Sequence, residues 1–309
     1  MVAEFCSKKL QELIALILFH PVINLCICVM NALFTFVAIV GNLLVIRALW
    51  KASAITATLK KLFLSLAFCD LAVGVFSHPM LAVTLAVLQI KAPNGVYTSF
   101  CPTVITVVMA STFFLLGVSF SLIAAIAVDR LLAVTFHLRY QELVTEKRVT
   151  IGLTVIWFNN SLLTLVFVNL PSHNDLVTAT CLTVGLILIT VAYLRIYLVV
   201  RYHQNQIHGH NQIQNGQAMQ AARVKKSALT ALYVYIVSLI CFTPTLFAGI
   251  LLEVDNSNRP TLVAYYASIF LALLNSSLNP LVYCWRFREI RDIVKSTVKN
   301  IFNGNWVAQ

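Results

Sequence analysis

Asn279-Pro280-Leu281-Val282-Tyr283 closes the last long apolar segment of this chain. A proline inside a membrane helix removes one backbone hydrogen bond and bends the helix. The asparagine beside it can supply the missing bond or keep a water molecule at that point. The tyrosine, one turn further on, can change its position when the bend repacks. This stretch therefore predicts a hinge in a membrane helix and not an enzyme active site.

The composition of the whole chain is that of a membrane protein. Of its 309 residues, 60% are hydrophobic and 11% are charged, and a soluble core needs no such excess of apolar side chains. Seven stretches carry little or no charge, and each can form a spanning helix of about 20 residues. They are residues 13–46, 62–90, 92–128, 149–174, 176–194, 227–252 and 260–285. We therefore predict an all-α membrane protein, in which a bundle of seven transmembrane helices forms a single domain over 1–309.

The positions of the basic residues predict the orientation of this bundle. The formal net charge is +11, and most lysines and arginines follow the first, third, fifth and seventh apolar stretches. Only Lys8, Lys9, Lys91 and Arg259 remain for the other side. Because Lys and Arg concentrate in cytoplasmic loops, we expect residues 1–20 outside the cell and the carboxyl terminus in the cytoplasm. Binding to nucleic acid would need one contiguous basic face, so membrane topology explains the charge more simply.

The segment 286–302 predicts one more helix, short and amphipathic, on the inner surface of the membrane. Its apolar residues recur at helical spacing with basic residues between them. They are Phe287, Ile290, Val294, Val298 and Ile301.

Asp70 is the only acidic residue inside an apolar stretch and away from its ends. Burial of a carboxylate in a membrane costs free energy, so a function is the default expectation, and a structural polar anchor is the alternative. We expect Asn42, Ser119, Asn275 and Asn279 as its companions, and the last two share a helix face because they are four residues apart. Together these oxygen atoms suit a sodium ion or a cluster of water molecules. The alternative function is an ion-coupled transporter or channel that uses Asp70.

Asp129 and Arg130 stand at the end of the third apolar stretch. Two opposite charges at a membrane boundary can be a simple topological stop. Alternatively, the arginine is held by Asp129 in one state of the protein and released in another.

Several motifs together resemble the rhodopsin-like (class A) G-protein-coupled receptors, and they follow one another in that family's order. They are Gly41-Asn42, Leu66-Ala67-Phe68-Cys69-Asp70, Asp129-Arg130-Leu131, Trp157, Tyr193, Cys241-Phe242-Thr243-Pro244 and Asn279-Pro280-Leu281-Val282-Tyr283. Residues 192–197 and the short loop after the fourth stretch look most like the adenosine, melanocortin and cannabinoid branch. The resemblance implies a multi-pass receptor of the plasma membrane that transmits the binding of an extracellular ligand to a heterotrimeric G protein. It implies no catalysed reaction.

The resemblance also implies roles for individual residues. The residues of the G-protein switch are Asp129, Arg130, Leu138, Tyr193, Asn279, Pro280 and Tyr283, and Leu138 is expected to contact the G protein. The residues of the sodium site, which is the only cofactor site expected, are Asp70, Ser119, Asn275 and Asn279. The residues of the ligand pocket are Met109, Thr112, Phe113, Cys181, Phe242, Thr245 and Leu273.

The predicted pocket is mostly apolar, which favours a lipid or another weakly polar small molecule. Thr112 stands where amine receptors of the family carry an aspartate, and Leu273 stands where opsins carry a lysine, so neither ligand class fits. A peptide stays open as a ligand because of polar residues expected at the outer end. They are His78, Glu253, Asp255 and Arg259.

Some positions depart from the family's pattern. Leu131 replaces a tyrosine, Phe242 stands where a tryptophan is usual, and Gly185 and His137 stand where prolines are usual. Only Ser296 and Thr297 offer hydroxyl groups for phosphorylation after Tyr283. Because tight capture by a basic partner generally draws on several phosphates, we expect weak arrestin binding.

The disulfide that is usual in the family is also altered. Cys101 precedes Arg130 by 29 residues and lies at the outer surface, whereas Cys181 precedes Tyr193 by 12 residues and lies only ~18 Å above it at ~1.5 Å per residue. A bridge needs Cα atoms within roughly 7 Å, so these two cysteines cannot pair. Cys6 is a better partner for Cys101, and a free thiol is equally allowed.

Overall fold

The computed structural model describes residues 2–53, 55–91, 102–136, 139–169, 174–209, 215–254 and 259–303. Within these ranges, all regular secondary structure is helical. The helices are α1 (Val2–Phe19), α2 (Pro21–Lys51), α3 (Ala57–Ala72), α4 (His78–Lys91), α5 (Pro102–Thr135), α6 (Tyr140–Leu143), α7 (Glu146–Asn169), α8 (Asn174–Gly209), α9 (Asn215–Val254), α10 (Arg259–Arg286) and α11 (Arg288–Phe302). A π-helical turn, Val73–Ser77, connects α3 to α4 without a break.

In the part of the chain that the structure describes, seven helical segments are long and apolar enough to cross a membrane. They are Pro21–Lys51, Ala57–Lys91, Thr103–Thr135, Glu146–Asn169, Thr178–Val199, Ala231–Leu252 and Pro260–Arg286. Large apolar side chains face outward from them, for example Phe36, Val83 and Leu188, each more than 60% exposed, as expected for contact with lipid. The predicted bundle of seven transmembrane helices is confirmed.

The two ends of the bundle are distinguished by the helices that lie there. Helix α5 ends near Asp129 and Arg130, and we call this side the Arg130 end. The opposite side is the α1 end, because α1 lies there against α2, α4, α5, α7 and α10. The distribution of basic residues predicted only that residues 1–20 are extracellular, whereas the structure adds a docked helix there.

The first apolar stretch, 13–46, does not form one helix. Pro21 disfavours the helical conformation at the preceding residue, and His20 has φ −137° and ψ 57°, so α1 ends at Phe19. Proline is well suited to the first turn of a helix, where its missing N–H is not needed, and α2 begins with it. The apolar residues before His20 therefore belong to α1 and not to the first span.

Pro280 lies inside α10 and removes the N–H that would bond to the carbonyl of Ser276, four residues earlier. Asn42 of α2 supplies the missing donor, since its Nδ2 lies 3.0 Å from the oxygen of Ser276. Gly41 permits this approach, because a Cβ atom added there would lie 3.1 Å from Cγ of Pro280. Of the two roles expected for Asn279, supply of this bond is not observed, because its Nδ2 donates to Asp70 instead.

An aromatic contact at mid-bundle depends on a second glycine. Phe120 of α5 packs edge-on against Phe242 of α9, with 5.2 Å between the ring centroids. The same ring fills the space beside Gly185 of α8, where an added Cβ would lie 2.2 Å from Cε1 of Phe120. Any larger side chain at position 185 would therefore displace Phe120.

Helix α11 confirms the predicted C-terminal helix, although it begins at Arg288 because α10 continues to Arg286. Phe287 between them is extended and places its ring 5.8 Å from the ring of Phe63. Ile290 is fully buried, and Glu289 Oε1 accepts a 2.7 Å hydrogen bond from the backbone N–H of Ser53. These contacts fix α11 against the Arg130 end.

The role of Asn42 predicts a cost for its removal. Asn42→Leu leaves the carbonyl of Ser276 buried without a donor, which costs about 1–3 kcal/mol, so we expect a lower unfolding temperature in detergent. Asn159→Leu, at an exposed position of α7, is the matched control and should leave the unfolding temperature unchanged or raise it. Equal unfolding temperatures for the two variants would contradict this account of the proline bend.

The contact at Gly185 predicts a contrast between two alanine variants. Gly185→Ala forces Phe120 from its place, and overpacking of this kind costs about 1–3 kcal/mol, so we expect a lower unfolding temperature. In Gly152→Ala the new methyl group has no atom within 4 Å, and alanine favours the helix by about 0.5–1 kcal/mol. A Gly185→Ala variant as stable as Gly152→Ala would show that Phe120 does not depend on this space.

Candidate functional site

A buried ion pair stands at the Arg130 end. Asp129 and Arg130 are only 5% and 4% exposed. Arg130 Nε donates to Asp129 Oδ2 at 2.9 Å, and Nη2 of Arg130 donates to the same oxygen. Two charges buried together cost free energy unless the remaining polar atoms also find partners. Whether the pair is stable therefore depends on hydrogen bonds from neighbouring residues.

Tyr140 of α6 supplies those contacts. Its hydroxyl donates to Asp129 Oδ1 at 2.7 Å and accepts from Arg130 Nη2 at 3.3 Å. Thr58 Oγ1 of α3 lies 3.3 Å from the same hydroxyl. Burial and the nearby carboxylate of Asp129 raise the pKa of Tyr140 to about 12, so the phenol keeps its proton at neutral pH and can donate. We call Asp129, Arg130 and Tyr140 the arginine lock.

Sequence reasoning did not find Tyr140. It follows Arg130 by ten residues, and no helical spacing connects the two, because the chain turns after α5 ends at Thr135. The turn includes a 2.8 Å bond from the N–H of Arg139 to the oxygen of Phe136. A tyrosine in a short polar segment carries no signal by itself.

The two tyrosines that were predicted for the switch are not part of the arginine lock. Tyr193 of α8 stacks on Tyr235 with 4.9 Å between ring centroids, and Tyr283 of α10 packs edge-on against Phe63 at 5.0 Å. Both hydroxyl oxygens are buried and lack a hydrogen-bond partner among the residues that the structure describes. Buried polar groups normally have partners, so these two phenols are available for another arrangement of the bundle.

A second polar cluster surrounds Asp70, which is fully buried at mid-bundle. Asn279 Nδ2 donates to its Oδ2 at 2.7 Å, and Ser119 Oγ donates to its Oδ1 at 3.4 Å. Asn275, the fourth predicted member, accepts a 3.0 Å bond from Ser238 Oγ of α9 instead. The structure thus brings Asp70, Ser119 and Asn279 together. The fourth predicted residue, Asn275, connects α10 to α9 instead.

This cluster fits a small cation that prefers oxygen. The buried oxygens Asn279 Oδ1, Ser276 Oγ and Asn42 Oδ1 have no hydrogen-bond partner in the described part of the chain. Carboxylate, amide and hydroxyl oxygens of this kind are acceptors that suit sodium or bound water. The described residues hold no group of three or more His, Cys, Asp or Glu side chains that could bind a metal ion.

Five of the seven predicted pocket residues are buried on α5, α9 and α10, and a sixth, Phe113 of α5, is partly buried against α7. Met109, Phe242 and Leu273 are buried, and Phe113 stacks on Phe167 of α7 with 4.2 Å between centroids. The remaining two are Thr112 and Thr245. Thr245 Oγ1 donates to the carbonyl of Ser268 at 3.0 Å, and Thr112 Oγ1 is buried without a hydrogen-bond partner in the described residues.

Cys181 is not part of this interior, because it lies exposed on α8. The buried face of α8 passes through Leu186, Ile189 and Tyr193, and the helical repeat places position 181 to the side of that face. His78, expected among the polar residues of the outer end, is instead fully buried and pairs with Asn31, with 2.8 Å between Nδ1 and Oδ1. Leu138 and Cys101 lie outside the described residues.

Known proteins match this chain over most of its length. The chain is 29% identical to human adenosine receptor A2a over 304 residues, covering 85% of this chain and 69% of that receptor. It is 27% identical to melanocortin receptor 4 of Danio rerio, covering 84% of this chain and 79% of the relative. It is 25% identical to adenosine receptor A2b of Gallus gallus, covering 85% of each.

The family described as 7 transmembrane receptor (rhodopsin family) matches residues 41–178 and 170–283. This range contains the arginine lock, the Asp70 cluster and the proline bend, and it covers far more than half of the chain. The protein therefore belongs to the rhodopsin-like (class A) family of G-protein-coupled receptors.

Proposed function

We propose that this protein binds a ligand at its α1 end, outside the cell, and activates a heterotrimeric G protein at its Arg130 end, in the cytoplasm. Family membership supports a receptor in the plasma membrane, and the distribution of basic residues supports this orientation. The observation that carries the proposal is the arginine lock, because it is a buried charged group that a conformational change can release.

The lock and the two tyrosines define two states of the Arg130 end. In the resting state, Asp129 and Tyr140 hold the guanidinium of Arg130. In the active state, Arg130 leaves them, and the phenols of Tyr193 and Tyr283 gain polar partners that they now lack. A ligand shifts the equilibrium between the states only as far as it binds one of them more tightly. The freed arginine then contacts the G protein.

The interior between α5, α9 and α10 connects the two ends. A ligand near Met109 and Phe242 changes the position of the Phe242 ring, which touches Phe120. Helix α9 is also bonded to α10 through Ser238 and Asn275, next to the Asp70 cluster and the proline bend. Small movements pass through such contacts because packed side chains have few alternative arrangements.

The buried pocket residues support a lipid or a weakly polar small molecule as the ligand. The relatives carry the names of two different ligands, adenosine and melanocortin, so kinship alone selects neither. Weak arrestin binding belongs to the same proposal, since Ser296 and Thr297 lie within the helical segment α11. None of the comparisons favours an ion-coupled transporter or channel.

The arginine lock predicts that one substitution lowers nucleotide exchange on the G protein and that another raises it. Arg130→Ala should abolish nucleotide exchange on the G protein, because the guanidinium that contacts it is lost. Tyr140→Phe should raise ligand-independent exchange at least about tenfold, because loss of a hydrogen bond to a charged group costs the resting state about 1.5–3 kcal/mol. Exchange is measured with purified receptor in nanodiscs against a panel of G proteins. Tyr197→Phe, at an exposed position of α8, is the matched control and should behave as the unmodified protein.

Two results would count against this mechanism. Normal exchange by Arg130→Ala would remove the arginine from the G-protein interface. Equal basal exchange by Tyr140→Phe and Tyr197→Phe would show that Tyr140 does not restrain the resting state.

The Asp70 cluster predicts stabilisation by sodium. If a sodium ion binds Asp70, Ser119 and Asn279 in the resting state, sodium should raise the unfolding temperature and lower basal exchange relative to choline at equal ionic strength. Asp70→Asn should remove both effects, whereas Asp292→Asn, at an exposed position of α11, should keep them. A sodium response that persists in Asp70→Asn would place the ion elsewhere. Radiotracer sodium flux into vesicles tests the transporter alternative, and we expect none.

A further inference from the structure

One face of α1 is buried in the α1 end of the bundle. Lys9, Leu13, Leu16 and Ile17 are at most 3% exposed, and their spacing follows the helical repeat. Leu18, on the opposite face, is 49% exposed. The helix therefore occupies a complementary site with one face, in the way that amphipathic peptides occupy grooves.

Two charged side chains of α1 lie inside this site. Lys9 Nζ is 3.0 Å from Glu12 Oε2, and the side chains are only 2% and 5% exposed. A buried ion pair is stable only where additional polar contacts compensate its loss of water. The bundle supplies them from α10. Tyr266 donates its hydroxyl to Glu12 Oε2 at 3.0 Å, and the ring centroid of Tyr265 lies 5.3 Å from Lys9 Nζ.

The docked helix touches the parts of the protein that the proposed mechanism moves. α10 carries Tyr265 and Tyr266 near its first turns and Pro280 near its last. α5 carries both a contact surface for α1 and two members of the arginine lock, Asp129 and Arg130. In this structure, α1 is docked while Asp129 and Tyr140 hold Arg130. Occupation of the α1 end thus accompanies the resting arrangement of the opposite end.

We propose that α1 is a tethered peptide ligand that binds the α1 end of the bundle and stabilises the resting state. The site recognises an amphipathic helix with a basic and an acidic residue three positions apart, and Tyr265 and Tyr266 are its polar anchors. A freely diffusing activator displaces α1 or binds only after its release. The effect on signalling rests on the proposed coupling to a G protein, whereas the docking of α1 does not.

Limited digestion with trypsin measures docking independently of any G protein. Cleavage after Lys9 requires that α1 leave its site, because that side chain is 1% exposed. In the full chain, Leu13→Ala removes a fully buried side chain of α1 and should speed this cleavage at least tenfold, as followed by mass spectrometry of the N-terminal fragment. Leu18→Ala, the same change on the exposed face, should cleave at the rate of the unmodified protein. Glu12→Gln provides a second test if Leu13→Ala folds poorly, since it leaves Lys9 without its carboxylate.

Basal nucleotide exchange on the G protein measures the effect of docking. Leu13→Ala should raise exchange severalfold, Leu18→Ala should not, and a synthetic peptide of residues 2–19 should return Leu13→Ala to the low rate. The same peptide with Leu13→Ala should be at least tenfold less potent.

Each other outcome has a distinct meaning. Equal cleavage of Leu13→Ala and Leu18→Ala would overturn the docking of α1. Faster cleavage of Leu13→Ala with unchanged nucleotide exchange would show that α1 only stabilises the fold. A fall in exchange in Leu13→Ala would show that α1 activates the receptor. Either result would overturn the proposal. Absence of exchange in every variant, including Tyr140→Phe, would refute G-protein coupling, and the trypsin rates would then still decide the docking.

Discussion

The carbonyl group of Ser276 is the constraint on which much of this bundle depends. Pro280 deprives it of its helical donor at a depth where lipid offers no hydrogen bond, so another helix must provide one. Asn42 does so at 3.0 Å, and Gly41 beside it allows the two backbones to approach. The bend of α10 and the position of α2 are therefore fixed together, and the next side chain, Asn279, is left to face Asp70.

The same scarcity of partners leaves some buried polar groups of the bundle paired and others unpaired. Arg130 and Asp129 are satisfied in this structure, whereas the hydroxyls of Tyr193 and Tyr283 are buried without partners among the described residues. In a medium of low dielectric constant, both satisfied and unsatisfied polar groups carry large free energies. The two-state mechanism proposed above rests on this contrast between satisfied and unsatisfied polar groups.

Helix α10 carries three of the features that matter. Its first turns present Tyr265 and Tyr266 to α1, its middle bonds to α9 through Asn275, and its last turns contain the proline bend. The same helix therefore contacts the docked α1 near one end and contains Pro280 near the other. It is the element through which we propose that α1 acts on the Arg130 end.

The sequence by itself determined the seven spans, the C-terminal helix, the missing backbone donor at Pro280 and the burial of Asp70, because length, periodicity, proline and isolated charge are local signals. Only the tertiary structure decided which distant groups meet. Tyr140 reaches Asp129, Phe120 fills the space at Gly185, Asn42 replaces Asn279 as the donor to Ser276, and Cys181 faces outward. The docking of α1 against the bundle is likewise visible only in the tertiary structure. Such pairings depend on helix rotation and on the space between side chains, and a single sequence encodes them only through the packing of the whole bundle.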